Sequence, residues 1–172
     1  ALSGGMKQKL ALVCALVHGP RVLLMDEPTV GVDPVSRREF LSLVFDLQKD
    51  GLTVVGSTPY MDEAEQFDRV VLLNDGLILQ NGTVEELRSS VGGTVMRVYS
   101  DDPLSTRKKA LQLDYVRDAQ LFGDRVHIFL NLDPHQAKGR LSSELSLPSA
   151  EIEQVEYSIE DIFLIQTGGQ SV

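Results

Sequence analysis

The stretch Val22-Leu23-Leu24-Met25-Asp26-Glu27-Pro28-Thr29 decides the fold: an unbroken apolar run that closes on two adjacent carboxylates. Hydrophobicity that is continuous rather than alternating predicts a parallel strand covered on both faces. Upstream, residues 4–18 carry Met6, Leu10, Val13 and Val17 on one helical face, with Ser3 as N-cap and Gly19-Pro20 as the stop. Downstream, Asp33-Pro34 opens a second helix bearing Phe40, Leu41, Val44, Phe45 and Leu47, halted at Asp50-Gly51. Residues 52–57 form the next strand, a helix is expected from Thr58-Pro59 to about Phe67, and residues 69–73 form another strand. Strands and helices in alternation mark an α/β layer. Asn74-Asp75-Gly76 turns the chain back into residues 77–80, and Asn81-Gly82 turns it again. Thr83 and Glu86 then have capping-box spacing at the start of a short helix.

From Thr94 the pattern changes to a smaller unit: strand 94–100, a helix from Pro103, strands 115–121 and 125–131 about a Gly123-Asp124 turn. A helix from Asp133-Pro134, strand 151–157 and a terminal helix 158–167 capped by Ser158 and Asp161 follow. The order βαββαβ predicts an α+β, ferredoxin-like sandwich. With Val91-Gly92-Gly93 as hinge, the expected domains are residues 1–91 and 92–172.

A chain of 172 residues can bury one ordinary core or two small ones, and 42% hydrophobic with 24% charged residues excludes a disordered or fibrous protein. The net charge of -9 and pI near 4.7 repel phosphodiester backbones, so no nucleic-acid partner is expected. Residues 10–17, the longest apolar stretch, are too few to cross a bilayer; a membrane role requires partner subunits. The single cysteine, Cys14, lies in a helical apolar stretch and is expected to fill core volume, which fits a reducing compartment and places the chain in the cytosol. The first motif begins directly after Ala1, so the sequence reads as a cut chain.

The residues that carry chemistry fall into two groups. The first N–H groups of a helix lack internal partners, and aligned peptide dipoles place partial positive charge there. Ser3-Gly4-Gly5 at such a tip suits an anion, since glycines admit close approach and the hydroxyl adds a hydrogen bond. Alone, the triplet would read as a capped helix. Asp26, at the carboxyl end of a parallel strand, suits Mg²⁺, often through water. Glu27 beside it can accept a proton from, or orient, the water that attacks a terminal phosphate. An isolated Asp-Glu pair would read as a cap and a solvated loop residue; the strand before it and Pro28-Thr29 after it favour the chemical reading. Together the groups point to nucleotide hydrolysis. A GxxxxGK[ST] phosphate loop should precede both, and the chain contains none. It therefore reads as half of such an enzyme, expected to bind ATP weakly and to be inactive alone.

Four ordered segments, LSGGMKQK at the helix start, VLLMDEPT, the loop Gly31-Val32-Asp33-Pro34, and Tyr60-Met61-Asp62-Glu63-Ala64-Glu65, resemble the nucleotide-binding subunit of an ABC transporter. The resemblance covers residues 1–91 well. The tail, with Tyr157-Ser158-Ile159-Glu160-Asp161-Ile162-Phe163-Leu164, is more loosely similar to the C-terminal extension of export-type members. It implies the C-terminal part of a P-loop NTPase domain, in which Ser3, Gly4 and Gly5 contact the γ-phosphate of ATP held by an opposite protomer. By the same resemblance Asp26 is the metal carboxylate, Glu27 the catalytic base, and Asp33 the loop residue that communicates across the dimer interface. ATP and Mg²⁺ are the implied cofactors. A second ATP-binding domain, as homodimer or tandem copy, and transmembrane permease subunits are the implied partners, at the inner face of the cell membrane.

The chain departs from the family at the switch position, where a histidine that reaches the γ-phosphate is replaced by Pro59. Proline has neither side-chain donor nor N–H, so the contact is lost while a good first-turn residue is gained. A site lacking it is expected to bind ATP better than it hydrolyses it. Cys14 stands where the family often has arginine. His18, His127 and His135 are read as structural or surface residues, and the acidic run Asp62-Glu63-Ala64-Glu65 as a solvated first turn. The competing readings are a soluble ABC-type ATPase of DNA repair or translation, which the acidic balance and the tail disfavour, and a regulatory or dimerisation module in residues 94–167.

Overall fold

Ser3 ends an extended segment and its Oγ accepts the Met6 N–H at 3.2 Å, so helix α1 (Gly4–Leu16) begins where the sequence places it. The computed structural model describes residues 2–168. By contact density the chain separates into two units, residues 1–63 and 64–172, a division that falls inside the expected first domain.

In the first unit, α1 is followed by strand β1 (Val22–Asp26), helix α2 (Pro34–Lys49), strand β2 (Thr53–Ser57) and the one-turn helix α3 (Met61–Ala64), which ends at the division between the units. Helix α3 is much shorter than the helix expected over residues 58–67. β1 and β2 pair in parallel, from Val22 opposite Thr53 to Asp26 opposite Ser57, which brings their carboxyl ends side by side. Asp33 caps α2 and Pro34 occupies its first turn, where a missing N–H costs nothing.

Two expectations fail here. β1 is not covered on both faces: Leu23 is buried, but Leu24 is 75% exposed and Val22 and Val55 are exposed as well. The face of α1 formed by Met6, Leu10, Val13 and Val17 is likewise exposed, and Cys14 is exposed rather than packed in a core. The reason is architectural. A strand is buried on both faces only between two covering layers, and among the described residues the sheet of this unit has two strands. Its buried apolar residues are Leu12, Leu23, Phe40, Leu41 and Val44.

The second unit opens with the antiparallel pair β3 (Val70–Asn74) and β4 (Leu77–Gly82). Asp75 and Gly76 both take positive φ in the tight turn between them, as a two-residue hairpin requires. The chain does not turn at Asn81-Gly82; both residues stay in β4. Helix α4 (Val84–Val91) has the complete capping box, with the Glu86 carboxylate accepting the Thr83 N–H at 2.8 Å and Thr83 Oγ1 accepting the Glu86 N–H at 3.2 Å.

Then come β5 (Thr94–Tyr99), α5 (Pro103–Ala110), β6 (Val116–Phe122), β7 (Arg125–Leu130), α6 (Pro134–Leu145), a single 3-10 turn (Ser149–Glu151), β8 (Ile152–Val155) and α7 (Ile159–Gln166). The four strands form one sheet in the order β6-β7-β5-β8, every neighbouring pair antiparallel. Its core is dense: Met96, Val98, Val126, Ile128, Leu130 and Leu141 are almost completely buried. The Gly92-Gly93 segment does not detach this sheet from what precedes it. Arg88 Nε donates to the Tyr157 carbonyl at 2.7 Å, the Tyr157 hydroxyl donates to the Gly92 carbonyl at 3.1 Å, and the Ile159 N–H donates to the Glu65 carboxylate at 2.6 Å. His127 is buried in β7 with Nδ1 2.8 Å from the Asp161 carboxylate, the structural role expected of it.

Candidate functional site

The carboxyl ends of β1 and β2 are laced together by Ser57. Its hydroxyl donates to Asp26 Oδ1 at 2.6 Å and accepts the Glu27 N–H at 2.9 Å, while its carbonyl lies 3.2 Å from the same N–H. Asp26 and Glu27 are both exposed, so the pair faces solvent at the strand ends. Glu27 takes φ of 44°, a left-handed conformation that a non-glycine residue rarely adopts without a surrounding structure to hold it. Pro59 is exposed two residues beyond Ser57, and the Tyr60 N–H donates to Thr58 Oγ1 at 3.1 Å, which fixes the turn that carries it.

The other group gathers about the tip of α1. Ser3 and Gly4 are exposed and Gly5 is buried. A Cβ on Gly5 would stand 2.6 Å from Ser36 Cβ on α2, so the close approach of these two helices requires glycine there. Asp33 is exposed and accepts the Val35 and Ser36 N–H groups at 3.1 and 2.9 Å. These bonds, the Ser36 N–H foremost, hold its carboxyl below the usual aspartate value. The structure thus places Asp26 and Glu27 at the end of β1, bonded to Ser57, with Pro59 two residues beyond that serine. Ser3, Gly4 and Gly5 meet the loop of Asp33 instead, with the Cβ position of Gly4 3.6 Å from the Gly31 carbonyl.

No cluster of three or more metal-ligating side chains occurs among the described residues. For Mg²⁺ this is no obstacle, because that ion keeps several waters and commonly takes only one or two protein carboxylates alongside substrate phosphates. The exposed Asp26, oriented by the Ser57 hydroxyl, fits such a ligand.

Sequence reasoning missed the residues that support the site. Glu63, expected to be solvated, is 2% exposed, and its Oε2 accepts the hydroxyls of both Thr29 and Thr58 at 2.8 Å. Arg37 Nε lies 3.0 Å from Glu63 Oε1, an ion pair without the alignment of a hydrogen bond, and its guanidinium stacks 3.9 Å over the Tyr60 ring. Nothing in the run Asp62-Glu63-Ala64-Glu65 marks the middle glutamate as the buried one; only the packing of α3 decides it. Ser57 carried a faint signal, as a hydroxyl at the end of the strand beside β1.

A family model described as ABC transporter matches residues 1–30, which include Ser3, Gly4, Gly5, Asp26 and Glu27. The probable multidrug ABC transporter ATP-binding protein YbhF of Escherichia coli (strain K12) is 38% identical over 170 residues, 98% of this chain. The chain belongs to the ABC transporter ATP-binding family. Other members are similar along nearly the whole chain: the daunorubicin/doxorubicin resistance ATP-binding protein DrrA of Streptomyces peucetius, 34% identical over 96% of it, and the Nod factor export ATP-binding protein I of Rhizobium etli, 34% identical over 97%. The chain spans 29% of YbhF and 52% of each of the other two relatives. The matches to these three relatives extend over β5–α7 as well as the first unit.

Proposed function

We propose that these residues form part of an ATP-hydrolysing subunit that powers export through transmembrane partner subunits, at the cytoplasmic face of the membrane. The observation that carries the reading is the exposure of Asp26 and Glu27 at the joined ends of β1 and β2, with Ser57 orienting both. A solvated carboxylate pair fixed at the strand ends is available to a nucleotide bound across the surface. In this reading Asp26 holds Mg²⁺, which supplies charge neutralisation on the phosphates, and Glu27 orients and deprotonates the attacking water. Ser3, Gly4 and Gly5 hold the γ-phosphate bound by a second ATP-binding domain, whether homodimer or tandem copy, and Asp33 lies at that interface.

The names of the relatives, which speak of drug resistance and Nod factor export, support export over DNA repair or translation. The 172 residues contain no GxxxxGK[ST], so by themselves they are inactive in this reading. Residues 64–91 belong with the ATP-binding domain by sequence, and residues 92–172 are an accessory domain. Its strand order β6-β7-β5-β8, with helices crossing from β5 to β6 and from β7 to β8, supports a ferredoxin-like split βαβ.

Retention of nucleotide tests the reading without depending on the rate of hydrolysis. The complete protein carrying Glu27→Gln is expected to keep ATP through rapid desalting in Mg²⁺, and adding Ser3→Arg is expected to release it. Equal retention of nucleotide by both variants overturns the shared-site arrangement, and loss from Glu27→Gln alone overturns the nucleotide reading.

A further inference from the structure

We infer that Glu63 is a positioning residue for the hydrolytic site, locking the loop after Glu27 and the switch position into one arrangement; this rests on the nucleotide reading above. A carboxylate removed from water is tolerated only where hydrogen bonds and an opposite charge replace its solvent, and Glu63 is 2% exposed. Its replacements all come from segments next to site residues. Thr29, itself 1% exposed, lies two residues beyond Glu27, and Thr58 directly precedes Pro59. Arg37 follows Asp33 by one helical turn, its N–H bonded to the Asp33 carbonyl at 2.9 Å.

Both threonine hydroxyls reach the same oxygen, Oε2, at 2.8 Å. A shared acceptor makes the two segments mutually dependent: a shift of the Thr58 turn moves the oxygen that holds Thr29, and through Thr29 the loop that aims Glu27. Glu63 touches neither metal nor substrate in this scheme. It acts through the backbone segments it holds, in a site where a small misplacement of the base is felt in the rate.

The test separates position from mere stability by exploiting shape. In the complete protein, Thr29→Val and Thr58→Val remove one hydroxyl while keeping the side chain's outline, and Thr29→Ser and Thr58→Ser restore it. Each valine variant is expected to lower kcat for MgATP about tenfold, as for loss of a hydrogen bond to a charged group, with KM for ATP changed less than about twofold. The serine variants are expected to recover most of the rate, and Glu63→Gln to behave like the valine variants. Valine and serine variants with equal kcat, or kcat and KM altered together, overturn the inference.

A second readout needs no turnover. In amide spectra of the 172-residue chain, Thr58→Val is expected to shift the resonances of Glu27, Thr29 and Val30, and to shift them far less when Glu63→Ala is already present. The same shifts without Glu63 overturn the coupling. Failure of the Glu27→Gln protein to retain ATP would strike the nucleotide reading, while the amide shifts still decide the role of Glu63.

Discussion

Pro59 shows how one residue separates fold from chemistry. The turn that carries it is held by Thr58, whose hydroxyl bonds both Glu63 and the Tyr60 N–H, so it has supports besides proline. Replacing Pro59 with histidine is expected to leave the turn intact while adding the side-chain donor that the resemblance implies at this position. One preorganised contact to a transferring phosphate is worth about 3 kcal/mol of barrier, or roughly a hundredfold in rate. Pro59→His in the complete protein is expected to raise MgATP turnover by that order, measured as phosphate release; an unchanged rate refutes the idea that Pro59 slows this site. The same residue scale shows the limit of the sequence. The positions of Asp26 and Glu27 at a strand end and of Asp33 at a helix cap could be read from neighbouring residues, whereas Glu63 sits among acidic neighbours and is singled out only by two threonines 34 and 5 residues away in sequence.

Helix α1 shows the same division among elements. Its start was readable from Ser3, but its partner was not, because the apolar face of Met6, Leu10, Val13 and Val17 lies exposed and the contact with α2 is made through Gly5. Two effects oppose each other in Gly5→Ala. Alanine gains about 1 kcal/mol of helix propensity over glycine, while forcing a methyl group against Ser36 Cβ costs about 1–3 kcal/mol. Overpacking is expected to win, so Gly5→Ala lowers the urea midpoint of the chain. With Ser36→Gly already present the obstructing atom is gone, and the same change is expected to raise it. A Gly5→Ala effect that ignores Ser36 would mean that the two helices part easily. Capping at Thr83-Glu86 and Asp33 needed no such context, since each bond closes within three residues.

For the whole molecule, burial differs sharply between the two units. β5 and β7 contain Val95, Met96, Val98, Ile128 and Phe129, all 1% exposed or less, whereas Leu24 in β1 and Val55 in β2 stand open to solvent. Amides whose opening must break a packed core exchange slowest, so hydrogen exchange of the 172-residue chain is expected to be slowest in β5 and β7 and clearly faster in β1 and β2. Equal protection in both sheets would contradict this account of the packing. The amino-acid sequence by itself determined the element order, the caps, the tight hairpin and the carboxylate pair, because each depends on residues close together along the chain. Tertiary structure alone decided which apolar faces are covered and that Glu63 is buried. It also decided that contacts group the chain into units meeting between Glu63 and Ala64. Those outcomes turn on what packs against what, and a pattern of hydrophobic residues states which face seeks cover without stating whether a partner is there to provide it.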